Sequence, residues 1–336
     1  MDRSGRTRRE FVGVAAGALL AGSPKAQVVL STEKIPLPSK ADQALLRNAI
    51  DIHSHLDPDS FGPHSGQAAR ALDVIDMARR AKTVGMRGFV LKQHYDQTAG
   101  LAYLTMKEVP GVEVFGQVCM NLPIGGLNPD AVEHFAEIKG GRARIVSMPT
   151  WDSENNVRAS KQTRRFVTVS KDGALLPEAK AVIAAVVAAK DRDSGATLAL
   201  ATGHISAEEG LMVVREARAQ GQARIVVTHA MGPPVNMTLA QMKEAVGLGA
   251  MIEFVGGFVV GSRAVFTIKH YVDAMRALGP EHCILSSDGG QMNRPRPDDM
   301  IALVAGQLLA AGMTRADLHQ MMVENPAKLL GIPQPA

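Results

Sequence analysis

Asp51-Ile52-His53-Ser54-His55 closes a short apolar run near the start of the chain, and Thr228-His229 and Ser287-Asp288-Gly289-Gly290 close two more far downstream. On a strand, side chains two residues apart share a face, so His53 and His55 are spaced to grip one ion. Neutral imidazoles with a carboxylate suit zinc and similar divalent ions, and a site with an open position turns water into a nucleophile. The pattern reads as a metal-dependent hydrolase. Taken singly, the His-x-His pair, His204 or His229 is as readily a hydrogen-bonded structural group, because histidine is intermediate in burial. Shared position tips the balance. His55, His204, His229 and Asp288 all fall at or just beyond the carboxyl end of a predicted strand, and in a barrel of parallel strands those ends converge on the face that carries chemistry.

The elements that must position these residues are eight apolar runs alternating with helices, which implies parallel strands joined by crossover helices. The runs lie near residues 49–53, 88–92, 112–120, 144–148, 197–202, 224–228, 250–254 and 283–287. Asn128-Pro129 reads as an N-cap with proline at the first helical position, and Ser206-Ala207-Glu208-Glu209 has capping-box spacing. Residues 179–190 and 299–310 carry strong helix formers with apolar faces. The expected architecture is an α/β fold, a (β/α)8 TIM-type barrel over residues 40–336. One element interrupts the alternation after strand four: Asp172-Gly173 between two short apolar segments marks a β-hairpin, which either shapes the pocket or decorates the surface.

Residues 1–30 are a different kind of sequence. Arg8-Arg9-Glu10-Phe11 precedes an apolar, small-residue stretch over Val12–Gly22, which resembles a twin-arginine export signal and implies a periplasmic or secreted protein. The stretch is too short to span a bilayer comfortably, so no stable membrane anchor is expected once it is removed. Loss of residues through Ala26 removes five basic residues (Arg3, Arg6, Arg8, Arg9, Lys25) and two acidic ones (Asp2, Glu10), a net +3 of the formal +4. The remaining chain is close to neutral. It has no basic stripe with interleaved aromatics, which excludes a nucleic-acid-binding surface of the usual kind. The 46% apolar and 21% charged residues describe an ordinary globular domain with a sizeable core. Cys119 and Cys283 fall in strands three and eight and read as buried apolar residues rather than a pair. A homo-oligomer is compatible with a barrel of this size, and a small molecule is the expected substrate.

The His-x-His on strand one, the single histidines ending strands five and six and the aspartate ending strand eight together resemble the amidohydrolase superfamily of distorted (β/α)8 barrels. The strings Val90-Leu91-Lys92-Gln93-His94, Gly203-His204-Ile205-Ser206-Ala207 and Ser287-Asp288-Gly289-Gly290-Gln291 resemble an amidohydrolase-related branch. The resemblance implies that His53, His55, His204 and His229 bind one or two divalent ions, most simply Zn2+ with Mn2+ or Fe2+ as substitutes. It implies that Asp288 binds metal and takes the proton of the attacking water. One departure stands out: strand four ends in Met148-Pro149-Thr150-Trp151, without the lysine or glutamate that bridges two ions in many members. Lys92 on strand two is the available lysine, as a bridging ligand, an ammonium for a substrate anion, or a structural ion-pair partner. His94 is an additional ligand, a pocket donor or a structural histidine.

The expected reaction is hydrolysis of an amide, lactone or other ester, with His229 or His94 stabilising the developing oxyanion. Trp151 and Arg294 are positioned to line the pocket, and Lys92 with Arg294, both pointing inward, would suit a carboxylate-bearing substrate. Two other classes remain open: metal-dependent decarboxylation or hydration on the same scaffold, and a binding barrel without turnover.

Overall fold

A computed structural model of the protein describes residues 35–60, 70–261 and 264–334. The export signal read from residues 1–30 lies outside the described residues. All described residues belong to a unit spanning Glu33–Ala336.

Eight strands run parallel in a single sheet whose spatial order follows the chain. They are β1 (Ile50–Ser54), β2 (Gly88–Leu91), β3 (Glu113–Cys119), β4 (Ala143–Ser147), β5 (Ala199–Ala201), β6 (Ile225–Val227), β7 (Met251–Val255) and β8 (Cys283–Ser286). They are near-continuous apolar runs because both faces are covered, as parallel sheets require. One apolar cluster fills the interior: Ile50, Ile52, Val90, Phe115, Ile145, Ala199, Ala201, Val226, Met251 and Ile284. Ala327, Leu329 and Leu330 of the C-terminal helix Asn325–Leu330 join this cluster. A second, larger cluster lies between the strands and the surrounding helices.

The helices that follow the strands are α1 (Val74–Thr83), α2 (Ala99–Glu108), α3 (Pro129–Ala136), α4 (Pro177–Ala188), α5 (Ala207–Ala219), α6 (Leu239–Gly247), α7 (Ile268–Leu278) and α8 (Pro297–Ala310). The chain is thus a (β/α)8 barrel. The expected caps form: Asn128 accepts the Asp130 N–H at the start of α3, and Ser206 and Glu209 make a capping box on α5. Among the described residues no helix is long and apolar enough to cross a membrane.

The barrel closes at a seam between β1 and β8. Ser54 bridges Gly289, and the His55 N–H donates to the Gly289 carbonyl at 2.9 Å. The Asp51 carboxylate completes the seam. It accepts the His53 and Ser287 N–H groups at 3.0 Å each, together with the Ser54 and Ser287 hydroxyls at 2.9 and 2.5 Å. The hairpin also forms, pairing Ser170–Lys171 with Ala174–Leu175. Its turn residues Asp172 and Gly173 have φ of 52° and 79°, the two positive values that a tight antiparallel turn demands. The hairpin docks on α5 through Ser170 and Glu209, 2.8 Å apart. Cys119 and Cys283 are buried and unpaired with each other.

Candidate metal centre

Regular alternation would not deliver His53 and His55 to the barrel axis. Ile50 and Ile52 face the interior, so their odd-numbered neighbours should face the helices. The register of β1 on β2 slips between Asp51 and Ser54, with three residues of β1 advancing against two of β2 (Asp51 pairs Phe89, Ser54 pairs Leu91). This bulge turns His53 inward beside Ile52, and both line the same small cavity under the site. Two further departures act at the ends of β6 and β8. His229 and Asp288 have φ of 28° and 46°, in the left-handed region that non-glycine residues seldom adopt. The bend brings the His229 ring to 4.9 Å from His204 and 6.0 Å from His53. Asp288 Oδ1 lies 3.2 Å from both His53 Nε2 and His55 Nε2.

Glycines allow the close approaches. A Cβ at Gly290, where φ is 113°, would collide with the His55 carbonyl, and one at Gly203 with the Met148 carbonyl. The latter approach lets the His204 N–H reach the Pro149 carbonyl at 2.9 Å. The His204 carbonyl in turn accepts Ser153 Oγ and Asn155 Nδ2 at 2.9 and 3.0 Å.

Beneath the histidines sits Glu253, a residue that the strand and motif reading passed over. It shares the inward face of β7 with Met251 and is almost fully buried. Its oxygens lie 3.1 and 3.3 Å from His53 Nδ1, and they accept the His229 N–H at 2.8 Å and the Ser286 hydroxyl at 2.6 Å. Burial works against its charge, but His53, Lys92 and His229 outweigh it and bring the carboxyl down to about 2. The signal was present: Glu253 is the charged residue in the otherwise apolar run Met251–Val255.

Lys92 continues the inward alternation of Gly88 and Val90. Its side chain is buried in the floor, with Nζ 2.9 Å from His53 Nε2. It lines a small cavity under the site, whereas Arg294 lines the cavity above. The physical reason is alternation itself: a residue that continues β2 inward meets the barrel floor before it can reach the mouth.

His94 does reach the site, with ring centroids 4.9 Å from His55 and 5.8 Å from His204. Its Nδ1 is 2.9 Å from the Thr150 hydroxyl, which also accepts Asn121 Nδ2 at 2.7 Å. The position on strand four that lacks a bridging ligand therefore orients a histidine. Burial lowers His55 to about 3 and His229 to about 4, and it is the leading cause that holds His94 and His204 well below their ordinary value. These rings are neutral at pH 7. Burial disfavours the charge on Asp288, yet His53, His55 and His229 more than compensate and keep it well below the usual carboxylate range.

Over this floor opens a cavity of about 330 Å3. His55, His94, His204, His229 and Asp288 form its base, and Trp151, Phe258, Pro233, Pro234 and Val265 its largely apolar wall. Asn156, Gln291 and Arg294 add polar groups. Asp152, by contrast, is buried beneath the surface as a partner of the Leu122 N–H and Arg164.

The donor set fits a divalent cation. Ligand atoms of His53, His55 and Asp288 lie within 4.8 Å of one another. Buried polar atoms are normally satisfied, yet Nδ1 of His55, His204 and His229 has no hydrogen-bond partner. Neutral imidazoles around an ionised carboxylate are the ligand chemistry of zinc-like ions.

Solved structures share the architecture. An organophosphorus hydrolase from Deinococcus radiodurans is 17% identical, with a TM-score of 0.55 over 90% of this chain and all (100%) of that one. A variant of a PTE-like lactonase from the same organism is 17% identical, with a TM-score of 0.57 over 86% of this chain and 97% of its own. An amidohydrolase from Pseudomonas aeruginosa is 12% identical, with a TM-score of 0.55 over 87% and 98%. At such identities the likeness is one of fold, and the class defined is a (β/α)8 barrel of the kind these hydrolases use. Within that class the chain belongs to the family described as "Family of unknown function (DUF6282)", which residues 48–253 match. The matched stretch runs from before His53 to Glu253 and stops short of Asp288. No curated protein matches the sequence.

Proposed function

We propose that the protein is a metal-dependent hydrolase of the amidohydrolase type that cleaves an amide, lactone or other ester bond of a small substrate. The observation that carries the reading is the convergence of His53, His55 and Asp288 at the base of a cavity walled by Trp151, Phe258 and two prolines. His53, His55 and Asp288 would hold one ion, and His204 and His229, with Nδ1 atoms unpartnered, are placed for a second. Lys92, against His53 Nε2, belongs to the same centre. A bound divalent ion supplies Lewis acidity, polarising a carbonyl and lowering the pKa of water towards neutrality.

The chain's own groups divide the remaining work. Asp288, kept ionised by its histidine neighbours, accepts the proton of the attacking water at a carboxylate oxygen and returns it to the leaving group. The Thr150 hydroxyl, already accepting Asn121, can give its proton to His94 Nδ1. In that arrangement His94 Nε2 carries the ring hydrogen and is a donor for the developing oxyanion, a role worth about 10²-fold or more in rate. His229 is the alternative donor on the facing side. Trp151 contributes its ring to the wall, and its Nε1 is buried without a hydrogen-bond partner. The apolar wall excludes water around the reacting bond and favours an uncharged acyl or ring portion.

The test combines elemental analysis of protein purified without chelators with a panel of lactones, esters and amides. Replacing Asp288 with Asn should leave the fold intact and lower hydrolysis by at least about 100-fold. Near-normal turnover in that variant would remove Asp288 from the mechanism. Release of CO2 instead of an amine or alcohol would turn the reading towards decarboxylation on the same scaffold.

A further inference from the structure

From its contacts beneath the site we infer that Glu253 is the positioning carboxylate of the metal centre: it fixes the ring orientation and tautomer of His53 and locks together three of the strand ends that carry the ligands. The inference rests on the reading of His53 and His55 as ligands. It goes beyond that reading by assigning part of the centre's affinity to a residue outside the proposed ligand set.

The geometry is specific. Glu253 Oε1 faces His53 Nδ1 at 3.1 Å and accepts the Ser286 hydroxyl at 2.6 Å, while Oε2 accepts the His229 N–H at 2.8 Å. A carboxylate is only an acceptor, so His53 must present its ring hydrogen on Nδ1. Its lone pair is thereby left on Nε2, the atom that faces Lys92 Nζ at 2.9 Å and lies 3.2 Å from Asp288 Oδ1. The same carboxylate spans β1 at His53, the end of β6 at His229 and β8 at Ser286, two residues before Asp288. It braces both residues whose backbones depart from strand geometry: His229 directly, with φ of 28°, and Asp288 through Ser286, with φ of 46°. The other histidines have no equivalent. Nδ1 of His55, His204 and His229 is unpartnered, and His94 meets a hydroxyl rather than a carboxylate. Carboxylates behind metal-binding histidines commonly set 10- to 100-fold in affinity.

Glu253→Gln is the informative substitution. Glutamine has one acceptor oxygen, so its NH2 must confront either the His229 N–H or the Nδ1–H of His53, donor against donor. Glu253→Asp keeps both oxygens but draws them back. The measurement is the Kd for Zn2+ by competition with a chromophoric chelator, on wild type, Glu253→Gln, Glu253→Asp and His55→Ala, with the Tm of each metal-free protein. The expected result is a 10- to 100-fold weaker Kd in Glu253→Gln, a smaller loss in Glu253→Asp, and loss of binding in His55→Ala. Nitrogen-15 histidine spectra of metal-free wild type, with the His53 signal identified by its absence in His53→Asn, should show the Nδ1–H tautomer.

A Kd within twofold of wild type in a folded Glu253→Gln, even with a lowered Tm, would overturn the inference, since a merely structural role moves Tm and not affinity. If His55→Ala has lost Zn2+ in the same series, the metal-centre reading stands and only the role of Glu253 falls. If wild type takes up no Zn2+, or His55→Ala binds as wild type does, that reading falls and carries the inference with it. Should Glu253→Gln not fold, the wild-type spectrum decides: an Nε2–H tautomer at His53 would refute the assignment.

Discussion

Replacing Asp51 with alanine tests how the barrel seam is held. Asp51 is fully buried and accepts two backbone N–H groups, from His53 and Ser287, at 3.0 Å each. Those two groups stand where regular ladder bonds between β1 and β8 would otherwise be. Alanine leaves both without a partner, and each orphaned buried donor costs about 1–3 kcal/mol, so the loss is about 2–6 kcal/mol. Asparagine is the control. Its single oxygen can keep both N–H groups, while its NH2 faces the Ser54 and Ser287 hydroxyls, which can turn to accept it. Ser287 Oγ already has the His53 carbonyl at 2.9 Å to receive its proton. Only charge assistance is lost, which costs about 1–2 kcal/mol. Burial raises Asp51 to about 6, so as pH falls through 6 the folded wild type takes up a proton that the asparagine variant cannot, and its margin over that variant should widen. Urea unfolding followed by circular dichroism, with the slope checked for constancy, reads these differences as midpoint shifts. An alanine variant within 1 kcal/mol of wild type, or an asparagine variant as damaged as the alanine one, would refute the assignment of the two backbone donors.

Metal-free protein should lose stability as pH falls from 7 to 5. Folded His55, His94, His204 and His229 lie below their ordinary value of 6.5, so the unfolded chain takes up protons first. Asp51, raised to about 6, acts in the opposite direction with one proton against four, and a flat denaturation midpoint over that range would contradict the burial of the rings. Gly290→Ala should destabilise by more than about 2 kcal/mol, because the new methyl meets the His55 carbonyl at a φ of 113°; an unchanged Tm would mean that the seam yields easily. Arg294→Ala should raise KM for anionic substrates while leaving neutral ones unaffected, and equal effects on both would assign Arg294 to the shape of the cavity wall.

The barrel was legible because its eight strands are buried on both faces and read as continuous apolar runs; the run at 112–120, for example, is the strand Glu113–Cys119. The candidate site positions were legible because they follow those runs at their carboxyl ends. The means by which they enter the site were not. The inward turn of His53 depends on a bulge set by pairing with β2, and the positions of His229 and Asp288 depend on left-handed backbone that their residue types do not favour. Glu253 stands 200 residues from His53, so no local pattern ties the two. Asn121 and Thr150, which hold His94, belong to strand ends that carried no expected role. Lys92 shows the converse case: its spacing placed it on the inward face correctly, but depth along the barrel axis, which spacing does not specify, put it under the site rather than around the substrate.

These departures share one physical origin. A regular parallel barrel points alternate side chains along its axis, where they pack as apolar layers and leave no room for a polar centre. A site at the strand ends therefore needs local breaks in regularity, and here they cluster at the β1–β8 seam and at the turn after β6. Each break costs conformational energy, of order 1–3 kcal/mol for a residue in a sparsely populated backbone region. Each is also met by a buried carboxylate: Asp51 takes the N–H groups at the bulge and before Asp288, and Glu253 takes the N–H of His229 and the ring of His53. The two acids thus do for irregular backbone what ladder bonds do for regular strands. Asp51 meets only backbone N–H groups and hydroxyls, and Glu253 meets His53 at Nδ1, so neither acid occupies His53 Nε2 or the Asp288 carboxylate. Strain concentrated at the strand ends and anchored by buried carboxylates leaves the cavity walls free to vary without disturbing His53, His229 and Asp288.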